Sequence, residues 1–98
     1  MSTPLTVVAL MRAQPGKEEV LRQALLALVD PTRTEDGCIQ YDLHQENQQP
    51  GHFVFFERWT SKEALDRHLA SPHMSAILPR FPELCSEPTA VLACTRLA

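Results

Sequence analysis

Glu57, His68 and His73 are the side chains of this sequence whose types and spacing bear most directly on chemistry. Glu57 stands in the stretch Phe53-Val54-Phe55-Phe56-Glu57-Arg58-Trp59. The alternation of a strand puts it on one face with Phe53, Phe55 and Trp59. A carboxylate among large rings is expensive to bury unless it is paired or kept near water. An ion pair with Arg58 or with a histidine is the structural reading, and an acid or base in a pocket is the functional one. His68 follows Ala64 by four residues and Leu65 by three, so it shares their buried helical stripe. A lone histidine there is more often a hydrogen-bonded core residue than a catalyst. His73 directly follows Pro72, in the first turn of a restarted helix, where the positive end of the dipole favours neutral imidazole. Such a ring can accept a proton, although an exposed histidine beside a helix start has the same spacing.

Other chemistries find less support. His68 and His73 are five residues apart with a proline between them, which does not put both on one helical face as the i, i+4 pair of a zinc motif would. No metal is therefore expected. Gly16, Gly37 and Gly51 all fall at turn signals, so a glycine-rich phosphate loop and a nucleophile elbow are absent.

The elements that must position these residues follow from the apolar pattern. Residues 5–11 read as a strand apolar on both faces, ending near Gln14-Pro15-Gly16. An amphipathic helix follows, with Val20, Leu21, Ala24, Leu25 and Leu28 on its inner stripe and Glu18 and Glu19 in its first turn. Pro31 should end or kink it, with a short extra turn at 30–34. After the turn Glu35-Asp36-Gly37, residues 38–46 alternate, with Ile39, Tyr41 and Leu43 on one side. Residues 47–51 form a polar connection to a more central strand at 52–59. Thr60 and Ser61 offer an N-cap to a helix with the inner stripe Ala64, Leu65, His68 and Leu69, and Ser71-Pro72 restarts it. Met74, Ile77, Leu78 and Phe81 continue that face, Pro82 and Pro88 close the region, and residues 89–96 form a last strand.

The order β-α-β-β-α-β is the α+β ferredoxin-like arrangement, a four-stranded antiparallel sheet with helices on one face. Three strands are apolar on both sides, so the opposite face predicts a two-fold homodimer with sheets packed together. At 98 residues the chain reads as a single domain spanning 1–98. Its 44% apolar and 21% charged residues fit a packed protein rather than a disordered one. The formal charge of −3 and the scattered basic residues point away from nucleic acid. No run is long enough to span a bilayer and no signal peptide is evident. Cys38, Cys85 and Cys94 lack disulfide or CxxC spacing, so each reads as a reduced core thiol in a cytoplasmic protein.

Three stretches, Gly37-Cys38-Ile39-Gln40-Tyr41, the run from Phe53 to Trp59 quoted above, and Leu65-Asp66-Arg67-His68-Leu69-Ala70-Ser71-Pro72-His73, together resemble the antibiotic biosynthesis monooxygenase domain family, which includes quinol monooxygenases. The resemblance covers nearly the whole chain. It implies a dimeric α/β barrel and, in several members, oxidation of quinols or polyphenols by dioxygen with no metal, haem or flavin cofactor. Relatives also degrade haem, isomerise small sugar-like signals or have no known activity, so the fold is better fixed than the reaction. In the haem-degrading branch a first-strand asparagine and a later helical histidine accompany the strand tryptophan. Here Trp59 is present, residues 5–11 hold no asparagine, and Leu78 stands at the histidine position, which disfavours haem.

Cofactor-free oxygen chemistry requires a phenol to lose a proton first, because its anion reduces dioxygen far more readily. On this reading His68 or His73 is the base and Glu57 orients or charge-balances the imidazole. Trp59, Phe55, Tyr41 and Phe53 form an aromatic slot for a small quinol-like substrate. Two alternatives stand beside it: a dimeric module that binds a small aromatic molecule without turnover, and an isomerase of a small signalling sugar.

Overall fold

The computed structural model describes residues 4–98. Four antiparallel strands, β1 (Leu5–Arg12), β2 (Cys38–Gln45), β3 (His52–Trp59) and β4 (Ala90–Cys94), form one sheet in the order β2-β3-β1-β4. This is the expected ferredoxin-like arrangement. The register pairs Val7 with Glu57, Ala9 with Phe55 and Tyr41 with Glu57, so these side chains share the helix-covered face. Burial follows the pleat strictly in β3, where Phe53, Phe55, Glu57 and Trp59 are buried and the residues between them half-buried.

The first helical region is split into α1 (Glu18–Leu26) and α2 (Val29–Arg33). Pro31 explains the position of the break. It cannot donate to the carbonyl of Ala27 four residues back and its ring crowds that carbonyl, yet it is tolerated inside the first turn of α2. Leu21, Leu25 and Leu28 enter the core as expected, whereas Val20 is 43% exposed and lies off the inner stripe.

After β3, Ser61 caps α3 (Lys62–Leu69), its Oγ accepting from Ala64 N. Ser71 then both ends α3 and starts α4 (Pro72–Ile77). Its hydroxyl donates to the His68 carbonyl at 2.6 Å, and its Oγ accepts from Met74 N. A 3-10 turn at Leu78–Arg80 and the short α5 (Phe81–Leu84) lead to β4.

Three further local expectations are corrected. Ile39 is 44% exposed rather than in line with Tyr41, because a bulge between Cys38 and Gln40 turns it out of the alternation. Leu69 is 47% exposed. Cys94 is exposed on the edge strand, while Cys85 is buried and Cys38 half-buried, all three being free thiols.

On the other side of the sheet, Val8 pairs with Phe56 and with Leu92, and Leu10 with Val54. Among the described residues no helix covers this face, and Leu10 and Leu92 are exposed. Among the described residues no helix is long and apolar enough to cross a membrane.

Candidate active site

His68 and Ala64 lie one turn apart on the buried face of α3, and the loop before β2 packs against both. Gly37 makes that contact possible. Its φ is +90°, and a Cβ there would stand 2.5 Å from the Ala64 Cβ and 2.8 Å from the Thr60 hydroxyl. Thr60 N donates to the Gly37 carbonyl at 2.9 Å, fastening the loop to the start of α3. Glu35, two residues earlier, is thereby held one turn further along the helix. Its Oε2 lies 2.7 Å from His68 Nδ1 and 2.8 Å from His73 Nε2.

The sequence reading placed both histidines but missed Glu35, assigning the carboxylate role to Glu57. Glu57 instead accepts from Trp59 Nε1 at 2.9 Å, two residues along the same strand face. The one sequence signal near Glu35 was the turn Glu35-Asp36-Gly37.

Aromatic rings lock the arrangement. Trp59, fully buried, lies against His68 at a centroid distance of 4.7 Å, and Tyr41 meets the same imidazole edge-on at 5.4 Å. Tyr41 stacks on Phe55 at 4.5 Å. Beside this cluster is a cavity of about 290 Å³ lined by Tyr41, Phe55, Glu57 and His68, floored by Val7, Ala9 and Met11 and rimmed by Leu69, Leu78 and Val91. Trp59 and Phe53 do not line it: Trp59 backs His68 and Phe53 lies in the core. His73 is also outside the lining and reaches the site through Glu35.

Burial sets the electrostatics. It raises the Glu57 carboxyl to about 7, against the pull of the Trp59 hydrogen bond and with help from the negative charge of Glu35. Burial pushes His68 below the ordinary histidine value, while Glu35 works in the opposite sense. The Tyr41 phenol is driven upward by burial and then by Glu57. With Nδ1 donating to Glu35, a neutral His68 keeps its lone pair on Nε2, and the ring lines the cavity. That is the arrangement of an oriented proton acceptor. Glu35, His68 and His73 also bring three potential metal-ligand atoms within 4.8 Å of one another, by a bend between helices rather than by spacing along one face.

Comparison with known proteins finds relatives along most of the chain. Residues 4–80 match the family model described as antibiotic biosynthesis monooxygenase. The chain is 42% identical over 91 residues to Rv0793 of Mycobacterium tuberculosis, spanning 93% of this chain and 89% of that protein. It is 36% identical over 84 residues to the Escherichia coli protein named "Probable quinol monooxygenase YgiN", spanning 74% of this chain and 79% of YgiN. Among solved structures, PA3566 from Pseudomonas aeruginosa superposes with a TM-score of 0.94 at 40% identity, covering 100% of this chain and 98% of the other. With an anchored imidazole beside a ring-lined cavity, a matching family model and close relatives along most of its length, the chain belongs to the antibiotic biosynthesis monooxygenase family.

Proposed function

We propose that the protein oxidises a small quinol or polyphenol with dioxygen, using His68 as the base and no bound cofactor. The observation that carries this reading is the His68 ring, anchored through Nδ1 by Glu35 at the wall of a mostly apolar cavity. A substrate hydroxyl beside His68 Nε2 gives up its proton, and Glu35 stabilises the imidazolium. The phenolate transfers one electron to dioxygen, and the resulting superoxide and aryloxyl radical join in a carbon–oxygen bond at a ring carbon that shares the unpaired electron. The imidazolium protonates this peroxide. Loss of water then breaks the oxygen–oxygen bond and leaves a carbonyl on the ring. One oxygen atom stays in the product, the other leaves as water, and the substrate supplies all four electrons.

The cavity favours an uncharged aromatic diol of one or two rings. Among the described residues no lysine or arginine lines it to hold a permanently anionic group. Its few polar groups match a polyol poorly, which weighs against a sugar isomerase. The name of YgiN supports the quinol class. A two-fold dimer belongs to the same proposal, since the uncovered sheet face carries Val8, Leu10, Val54, Phe56 and Leu92. Free cysteines fit a reducing cytosol.

The test is oxygen uptake by chelator-treated protein with a panel of benzene and naphthalene hydroquinones, beside the His68→Ala variant. Uptake that depends on His68 supports the reading. Ligand-induced thermal stabilisation with unchanged ligand would replace it with a binding module.

A further inference from the structure

We propose that Glu35, His68 and His73 form a binding site for one divalent transition cation, with Zn²⁺ as the best match. Two imidazole nitrogens and one carboxylate oxygen are a donor set suited to this ion, and three protein ligands leave a position for water. The three come from separate elements, the loop before β2, α3 and α4, yet converge on one point: both nitrogens reach the same Glu35 Oε2, at 2.7 and 2.8 Å. Their ligand atoms all lie within 4.8 Å of one another.

The cluster is already held in place. Gly37 sets Glu35 against α3, Trp59 backs the His68 ring, and Ser71 joins the end of α3 to the start of α4. Among the described residues, the only ion-pair partners of Glu35 are the two imidazoles. The carboxylate is the cluster's one acidic group, and a cation would offset its charge. Exposure supplies a route in: the side chains of His73 and Glu35 retain 19% and 15% of their surface, while His68 at 2% forms the floor. Zinc–ligand bonds of about 2.0–2.2 Å in tetrahedral geometry need donors roughly 3.3 Å apart, so each hydrogen-bonded pair opens by about half an ångström and the two imidazole nitrogens, within 4.8 Å of each other, close toward the same spacing.

Metal entry would also change the His68 ring. In the metal-free arrangement its proton is on Nδ1, facing Glu35; coordination through Nδ1 moves that proton to Nε2. Nε2 then turns from acceptor to donor. Where the oxidation proposed above holds, the metal form is therefore idle, but binding itself does not depend on that reading.

The experiment is calorimetric titration of the purified full chain with Zn²⁺, with visible absorption of the Co²⁺ form and nitrogen-15 spectra of the histidines. The expected result is one ion per chain, a Co²⁺ spectrum without a thiolate charge-transfer band, and transfer of the His68 proton from Nδ1 to Nε2. Glu35→Gln and His73→Ala should each weaken binding about ten-fold or more. Absence of saturable binding, a thiolate band, an unchanged His68 tautomer, or wild-type affinity in both variants would each overturn the proposal. None of these readouts requires turnover, so they separate this site from the fate of the proposed oxidation.

Discussion

Glu35 and Glu57 are both drawn away from water on the helix-covered side of the sheet, and the groups around them differ. Glu35 sits on a loop and receives two imidazoles on one oxygen. Glu57 sits in the middle of β3 and receives a single indole N–H, which leaves desolvation dominant and its carboxyl raised to about 7. The difference shows that position in regular structure does not decide which buried carboxylate serves a histidine. The strand rigidly aims Glu57 along its own face, while the loop, pinned by Gly37, carries Glu35 to a helix 33 residues away in sequence.

The largest expected effect tests that division of labour in turnover. His68→Ala should lower quinol-dependent oxygen uptake by about 10²–10⁴-fold, the range of a lost general base. Glu57→Gln, which keeps an acceptor for Trp59, should lower it less than ten-fold on the same order-of-magnitude scale. Equal losses in the two variants would erase the distinction between the carboxylates.

Gly37→Ala comes next, acting on the fastening of Glu35 rather than on Glu35 itself. A left-handed conformation costs a non-glycine residue about 1–2 kcal/mol, and the contacts with Ala64 and Thr60 add an overpacking cost of about 1–3 kcal/mol. A loss of roughly 3 kcal/mol in urea unfolding is expected. Gly16→Ala supplies the comparison, because Gly16 also has positive φ but open space around its Cβ position; it should show only the backbone part. Similar losses at both positions would mean that the loop is not held against α3.

How much of this could be read beforehand follows the range of each interaction. Period-two alternation located β3 and put Glu57 with Trp59, because neighbours on one strand face are a local matter. Helical spacing and the Ser-Pro signal likewise placed His68 on the buried face and His73 at a helix start. The bulge that turns Ile39 outward was hidden, since an extra residue is defined only against the partner strand. The break at Ala27 was signalled by Pro31, but its place depends on the carbonyl four residues earlier. Glu35 was illegible as a site residue because a loop has no periodicity to point its side chain. Trp59 and Phe53, assigned to the slot walls by face alone, show that a shared face does not specify which rings border an opening.

A smaller effect separates the carboxylates by pH. The folded-state pKa of Glu57 is raised from 4.5 to about 7, so its favourable contribution is complete below pH 4.5 and is lost as pH rises through 7. At about 1.36 kcal/mol per unit the full shift has an upper bound of roughly 3 kcal/mol, and the carboxyl's residual access to water reduces it. Glu57→Gln should therefore match the wild type at pH 4 and exceed its stability by about 2 kcal/mol at pH 8. The depressed His68 changes stability in the opposite sense at lower pH, and it is common to both proteins. Chemical denaturation at the two pH values gives the measurement. A variant without any advantage at pH 8 would show that Glu57 is ionised at no cost, making it more like a paired carboxylate than the structure implies.

The smallest effect distinguishes the two histidines that share Glu35. His73 donates to the same oxygen as His68 but keeps 19% of its side-chain surface and lies outside the cavity lining. Water can replace much of its hydrogen bond once it is removed, so His73→Ala should cost about 1 kcal/mol of stability. Glu35 retains its bond to His68, and oxygen uptake should fall by a factor of about three as the carboxylate gains freedom, mainly in kcat rather than KM. A loss approaching that of His68→Ala would make His73 a direct participant in proton transfer. The site would then work as a relay through Glu35, with the exposed imidazole passing the proton to solvent.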